Sequence, residues 1–309
     1  MKIIFMGTPE FAVPSLDILV KNGYQVVAVV TSTDSYGGRG GKQLIESAVK
    51  KYAVEHNIPI LQPTNLKSQE FLKQLASFEA DLQIVVAFRM LPEAVWNMPP
   101  MGTYNLHGSL LPKYRGAAPI NRAIMQGESE TGVTSFKLQH KIDTGDMMFQ
   151  EKTPIYPDED AGSVHDRLMY LGASVVLKTV QAIEKGEFNL LPQSDDIASE
   201  APKIFHQDCL LDFSRTTQEV YNKIRGLSPY PGAWCKINGM EYKILQASMI
   251  YDSDEHPPGA ILCNQKNTLK IKCNDGYISV LKIKAEGKKA MSIAEYLNGH
   301  KLNHTSIDY

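Results

Sequence analysis

No run of this chain is apolar for long enough to span a bilayer, which takes roughly 20 consecutive residues. The apolar opening Met1-Lys2-Ile3-Ile4-Phe5-Met6 is broken at once by Gly7, Thr8, Pro9 and Glu10. That opening is also too short for a signal-peptide core, so a cytoplasmic protein is expected. Charge of one sign is lacking as well: 32 Lys and Arg stand against 34 Asp and Glu, a formal net charge of −2. Any contact with nucleic acid must therefore rest on local basic patches. Cysteine is scarce, and Cys209, Cys235, Cys263 and Cys273 all fall in the last third, with no Cys-x-x-Cys pair and no histidine at ligand spacing. Buried or idle thiols are expected, and no metal site. A Gly-x-Gly-x-x-Gly fingerprint is missing too. Where a nucleotide-binding fold would place it, the chain has Phe5-Met6-Gly7-Thr8-Pro9, and Pro9 and Glu10 would obstruct and repel a phosphate. A nicotinamide or ATP site is thereby disfavoured.

What is present is enough for two domains: 309 residues, 43% of them apolar. In the first half, short apolar runs alternate with helical patterns, which predicts an α/β fold with an open, mostly parallel sheet and crossover helices, Rossmann-like in layout. Residues 2–6 read as a first strand and 10–22 as a helix, with Phe11, Leu16, Leu19 and Val20 at helical spacing and Gly23 placed to stop it. Residues 25–31 and 82–87 read as strands buried on both faces, because Val26, Val27, Val29 and Val30 leave no polar side. Residues 163–185 form a long amphipathic helix by the same reasoning. The polar stretch after it suits an interdomain linker. Past a short helix over 217–225, short strands follow at 234–237, 242–247, 260–263, 268–272 and 277–285, punctuated by Gly239, Pro257-Pro258-Gly259 and Asp275-Gly276. That number of strands suits a small barrel. The expected division is a first domain over 1–188, a linker over 189–206 and a second domain over 207–309.

Chemistry concentrates in Asn105-Leu106-His107-Gly108-Ser109-Leu110-Leu111-Pro112 and, further on, Asp143-Thr144-Gly145. On a strand, Asn105 and His107 project from one face. An amide N–H can bind an oxyanion, an imidazole can donate to it or move a proton near neutral pH, and a carboxylate can orient the imidazole or accept a proton. Phe88-Arg89-Met90-Leu91-Pro92 follows the run at 82–87, and open sheets bind ligands beyond such carboxyl strand ends. The loop Asp34-Ser35-Tyr36-Gly37-Gly38-Arg39-Gly40-Gly41-Lys42 is dense in glycine and carries two cations, and mobility is expected of it. Lys270 and Lys272, like Lys282 and Lys284, alternate in period two and so share a strand face, which suits either a solvated surface or contact with a phosphate backbone.

The Asn-x-His, the Ser109-to-Pro112 run and the later Asp143 beside a Thr-Gly resemble the signature of the folate-dependent formyltransferases. Phe5-Met6-Gly7-Thr8-Pro9-Glu10-Phe11-Ala12 and Gly226-Leu227-Ser228-Pro229-Tyr230-Pro231-Gly232-Ala233-Trp234 extend the resemblance from Met1 to roughly Leu302. It implies an oligonucleotide-binding (OB) type barrel for the second domain and 10-formyltetrahydrofolate as the formyl donor. Catalysis by Asn105, His107 and Asp143 is implied, with a folate pocket from Ser109, Leu110, Leu111, Pro112, Phe88, Arg89 and Leu91. The acceptor implied is the amino group of initiator methionyl-tRNA, reached by the loop that carries Arg39 and Lys42, while Lys270, Lys272, Lys282 and Lys284, a cluster of one sign, are read as contacts for the tRNA backbone. No protein partner is implied, and a monomer is expected. A small amine or sugar as acceptor, hydrolysis of the formyl group, or a non-catalytic tRNA-binding protein are the competing readings.

Overall fold

The computed structural model describes residues 1–309 apart from 38–40, 42, 253, 303, 304 and 309. Contact density divides the chain into two compact units, one of residues 1–116, 131–153 and 165–201, the other of 117–130, 154–164 and 202–309.

The first unit is built on a sheet of β1 (Lys2–Gly7), β2 (Gln25–Val30), β5 (Ile60–Leu61), β6 (Leu82–Val86), β7 (Thr103–His107), β8 (Glu130–Lys137) and β9 (Met147–Pro154), while β3 (Ser35–Gly37) and β4 (Gln43–Ile45) form a separate ribbon. The sheet order is β5-β2-β1-β6-β7-β8-β9, parallel from β5 through β7, with β8 antiparallel to β7. Five helices belong with this order of strands: α1 (Val13–Lys21), α2 (Ala48–Glu55), α3 (Gln69–Ser77), α4 (Glu93–Trp96) and, after an α5 (Pro119–Met125) that groups with the second unit, α6 (Ala161–Lys185). The mostly parallel sheet with crossover helices agrees with the alternation of apolar runs and helical patterns. The helix expected over 10–22 divides into a 3-10 turn, Glu10–Ala12, and α1, because Pro14 can open an α-helix but cannot donate within one. Burial of β2 is confined to Ala28, Val29 and Val30. Short β5 pairs only with Val29 and Val30, so Val26 and Val27 lie on an open edge and are half-buried. Ile4, Met6, Ala28, Val30, Phe71, Leu75, Val85 and Val95 pack into one core cluster between the sheet and α3 and α4.

In the second unit, β10 (Ala233–Ile237), β11 (Met240–Ile250), β12 (Ile261–Cys263), β13 (Leu269–Lys272), β14 (Tyr277–Ala285) and β15 (Met291–Ser292) pair antiparallel throughout. Two register shifts, at Ile244/Gln246 and Gln246/Ala247, fall within the β11–β14 pairing. Extra residues of this kind bend the bulged strand and raise its twist, which curls the sheet into the half-barrel of a small OB-like domain. Its interior holds Val220, Ile224 and Leu227 of α7 (Thr217–Leu227) and Tyr296 and Leu297 of α8 (Ile293–Gly299). Helix α7 opens with a reciprocal capping box between Thr216 and Glu219, and α8 with one between Ser292 and Glu295.

Among the described residues, no helix is long and apolar enough to cross a membrane.

Candidate active site

Strand β7 sits between β6 and antiparallel β8, with Asn105 opposite Val85 and Phe136, and His107 opposite Thr134. Alternation sends Tyr104 and Leu106 to one face, where both are buried and desolvation pushes the Tyr104 phenol up. It brings Asn105 and His107 to the other. Beyond His107 the chain leaves the sheet, and its next residues are pinned from β8 and β9. The Thr134 hydroxyl donates to the Ser109 carbonyl at 2.7 Å and accepts from the Leu111 N–H at 3.1 Å. Gln150 Nε2 donates to the Leu111 carbonyl at 2.7 Å and to Thr134 Oγ1 at 3.0 Å. Ser109, itself buried, donates to the Lys113 carbonyl at 2.6 Å. Leu111 and Pro112 are buried, and Leu110 is half-buried.

His107 is 6% exposed, and its Nε2 lies 2.8 Å from the Tyr114 carbonyl. A carbonyl only accepts, so Nε2 carries the proton and donates. Nδ1 then faces Asp143 Oδ2 across 3.7 Å. Asp143 lies in the loop between β8 and β9 at φ +51°, a left-handed conformation that aspartate tolerates better than most residues. Its Oδ2 accepts from the Gly116 N–H at 2.8 Å. Two residues on, the loop passes so close to β8 that a Cβ on Gly145 would stand 1.8 Å from the Lys137 carbonyl oxygen, which only glycine permits. Asn105 and His107, paired by strand spacing, share a face of β7, and Asp143 is brought to 3.7 Å from the His107 ring. Thr134 and Gln150 carried no signal in the sequence: an isolated Thr and Gln on strands gain their role only from strand pairing.

Among the other expected residues, Phe88 is half-buried, and the Arg89 guanidinium lies over its ring at 5.7 Å. Arg89 donates from NH1 to the Thr64 carbonyl at 3.2 Å and from NH2 to the Pro63 carbonyl, tying the segment after β6 to the chain after β5. Leu91 packs into the core with Val95 and Phe71. Arg39 and Lys42 lie outside the described residues. The strands on either side of them, β3 and β4, present Tyr36, 75% exposed, with Leu44 and Ile45. Below them, Lys50 bonds to Asp34 and, at 2.7 Å, to Glu46, so one ammonium joins the entry and exit of this ribbon.

In the second unit Lys282 and Lys284 are exposed on one face of β14, and Lys270 is half-buried on β13. Lys272 departs from the expectation of a shared solvent face. Its side chain is 4% exposed, donates to the Asp252 carbonyl at 3.0 Å and lies 3.4 Å from Asp254 Oδ1. It is held over the Tyr277 ring at 4.9 Å. Period-two alternation placed it beside Lys270 but could not foresee that Asp252 and Asp254 meet its ammonium at the end of β13. No group of three or more His, Cys, Asp or Glu side chains among the described residues could hold a metal ion.

The formyl transferase family pattern matches residues 1–180, and the formyl transferase C-terminal domain matches residues 203–301. The methionyl-tRNA formyltransferase of Bacteroides fragilis is 47% identical over 98% of this chain and 96% of its own length. That of Flavobacterium johnsoniae is 48% identical over 97% of this chain and 96% of its own. Among solved structures, HypX from Aquifex aeolicus in complex with tetrahydrofolic acid covers 96% of this chain and 47% of its own at a TM-score of 0.66 and 19% identity, a likeness of fold. With nearly half of all residues shared along nearly the whole length, and both parts of the family pattern in order, the chain belongs to the methionyl-tRNA formyltransferase family.

Proposed function

We propose that this enzyme transfers the formyl group of 10-formyltetrahydrofolate to the free amino group of methionine on initiator methionyl-tRNA, the one-carbon transfer that prepares the tRNA for translation initiation in the cytoplasm. The observation that carries the reading is the His107 ring, locked through Nε2 to the Tyr114 carbonyl and turned with Nδ1 toward Asp143. When the amine attacks the formyl carbon, negative charge grows on the formyl oxygen and the nitrogen must lose a proton. Asn105 supplies an amide N–H for that oxygen, while His107, its Nε2 committed to the Tyr114 carbonyl, takes part through Nδ1 in moving the proton. Asp143 receives the amine proton directly, through His107 or through a water. As the bond to N10 of the folate breaks, that nitrogen takes up a proton. The formyl carbon changes partners with no net gain or loss of electrons.

Ser109, Leu110, Leu111 and Pro112, with Phe88, Arg89 and Leu91, are proposed to hold the folate. A pterin needs apolar walls with a few fixed polar groups. The apolar Leu111–Pro112 turn, with its backbone bonded by Thr134 and Gln150, has that character. We assign catalysis to residues 1–188, with 189–206 leading into a tRNA-binding domain over 207–309. Arg39, Lys42, Lys270, Lys282 and Lys284 are proposed for the tRNA. Lys272 is engaged inside its own domain and contributes to the shape of that surface.

Relatives that share 47% identity along the full length carry the methionyl-tRNA name, whereas the sugar 3N-formyl transferase WlaRD shares 21% and likeness of fold. This favours tRNA over a sugar as acceptor. The test is formyl transfer to charged initiator methionyl-tRNA, run beside free methionine, glycinamide ribotide and elongator methionyl-tRNA. Strong preference for the initiator tRNA is expected. Turnover of a small amine alone would overturn the tRNA assignment, and the absence of any transfer would overturn the catalytic one.

A further inference from the structure

The polar stretch after α6 supplies a side chain that joins the two loops on which the site is built. Gln193 donates from Nε2 to the backbone carbonyls of Asp143, at 2.9 Å, and Gly145, at 2.8 Å. Its Oε1 accepts from Arg115 Nε at 3.0 Å. All three contacts decide which end of the carboxamide is which. The opposite flip would set an oxygen against two carbonyl oxygens and an amino group against a guanidinium N–H. Both amide hydrogens are spent on the 143–145 loop.

Arg115 is in turn held. Its NH1 donates to Asp195 at 2.7 Å, and its backbone exchanges hydrogen bonds with the 199–201 segment, N–H to the Ser199 carbonyl at 2.8 Å and carbonyl from the Ala201 N–H at 2.6 Å. The next residue, Gly116, offers the N–H that Asp143 Oδ2 accepts. Asp143 is therefore gripped twice: its carboxylate by the 115–116 segment and its carbonyl by Gln193, which also holds that segment through Arg115. Its left-handed backbone, at φ +51°, is one that an aspartate keeps only when its surroundings determine it.

We infer that Gln193 is a positioning residue for formyl transfer: its carboxamide sets the backbone of Asp143 and so keeps the carboxylate at its station opposite His107. This rests on the catalytic role proposed for Asp143, and the test separates the two.

Four variants of the full chain are compared with the parent: Gln193→Met, Gln193→Glu, Asp143→Asn and the double variant Asp143→Asn/Gln193→Met. Gln193→Met keeps the length of the side chain and removes every polar atom. Gln193→Glu keeps an acceptor for Arg115 and loses both donors to the 143–145 loop. Thermal melts fix a temperature at which all are folded, and kcat, KM for each substrate and the pH profile of kcat are measured there. Expected are a fall in kcat of about 10- to 100-fold in both single Gln193 variants, the cost of a catalytic group displaced by about 1 Å. KM should change by no more than about twofold, and the acid limb of the profile should move. On the Asp143→Asn background, Gln193→Met should cost nothing further, because the group it positions is gone. Parental kcat and pH profile in both Gln193 variants, with Asp143→Asn inactive, would overturn the inference and leave the catalytic reading intact. A Gln193→Met loss that multiplies in full on the Asp143→Asn background would overturn it equally. Near-parental turnover in Asp143→Asn would overturn the reading on which the inference stands, and the inference with it.

Discussion

Nδ1 of His107 faces Oδ2 of Asp143 across 3.7 Å while Nε2 of the same ring donates to the Tyr114 carbonyl at 2.8 Å. The second contact fixes the first. With Nε2 committed as a donor, Nδ1 is the nitrogen at which a proton can come and go, and it meets a carboxylate. The gap exceeds a direct hydrogen bond, so a small movement of either group, or an intervening water, completes the proton path.

From this follow different signatures for the three side chains. Replacing Asn105 by Ala removes an oxyanion donor and is expected to cost about 10²- to 10³-fold in kcat with the pH profile preserved. His107→Ala and Asp143→Asn are expected to cost at least about 10²-fold, and Asp143→Asn should also abolish the acid limb of the profile, because the proton acceptor is lost. Steady-state kinetics from pH 5 to 9, with thermal melts to show that each variant folds, make the comparison. An Asn105→Ala variant with parental kcat would remove it from the site.

Thr134 is a buried hydroxyl whose donor and acceptor capacity is used on Ser109, Leu111 and Gln150. Thr134→Val keeps the shape and leaves the Ser109 carbonyl and the Leu111 N–H short of a partner, at a cost of about 1–3 kcal/mol. The turn that it pins is the proposed folate wall, so KM for 10-formyltetrahydrofolate should rise more than KM for tRNA. Thr134→Ser, which retains the hydroxyl, should restore both. Urea denaturation and donor titration measure the two effects. A donor KM unchanged in Thr134→Val would detach this turn from folate binding.

How legible all this was in the sequence varies with the range of the interaction that decides it. The strand expected over 277–285 coincides with β14, Tyr277–Ala285, because alternating burial is a local pattern. The helix expected over 217–225 runs on to Leu227, since its start is written locally in Thr216 and Glu219 while its end depends on packing. The half-open edge of β2 and the short strand β5 were not legible, because neither is decided within its own window. Asn105 and His107 could be paired from strand period alone, but the left-handed backbone of Asp143 and its hold on Gly116 arise from contacts 27 residues apart in sequence. Gln193 was hidden in a polar, irregular stretch, the composition that also marks a linker.

Carboxylates with lowered pKa values gather in residues 207–309. Hydrogen bonds from Ser214 hold Asp212 down, those from Thr216 hold Glu219, those from Ser292 hold Glu295, and the Thr217 N–H and hydroxyl hold Asp275. Asp254 is held below the usual carboxylate range, first by the Tyr277 hydroxyl and then by His256 and Lys272. A carboxyl whose folded pKa lies below its unfolded value stabilises the fold above the unfolded pKa, near 4, and loses that contribution as pH falls through the folded value. Acid should therefore loosen this domain early. The two tryptophans, Trp96 and Trp234, report on different domains, so Trp96→Phe leaves Trp234 as the probe and Trp234→Phe leaves Trp96. The Trp234 transition is expected at the higher pH. Asp275→Asn should flatten the dependence of its stability on pH below 5. Coincident transitions would show that these carboxylates do not set the acid limit of the domain.

The lysines of the second domain divide by what their ammonium groups touch. Lys282 and Lys284 are exposed on the same face of β14, while Lys272 is spent on Asp252 and Asp254 within the domain. For a phosphate contact, each lysine removed lowers the slope of log affinity against log salt by about 0.7–0.9. Lys282→Ala and Lys284→Ala should each weaken tRNA binding at low salt and flatten the slope by that amount. Lys272→Met should leave the slope unchanged and instead lower the denaturation midpoint, because Asp254 loses a cation that helps to keep it ionised. Filter binding of methionyl-tRNA between 50 and 300 mM salt, beside chemical denaturation of each variant, separates the two roles. A slope reduced in Lys272→Met but not in Lys282→Ala or Lys284→Ala would mean that the tRNA backbone meets the domain near the end of β13 rather than along the exposed face of β14.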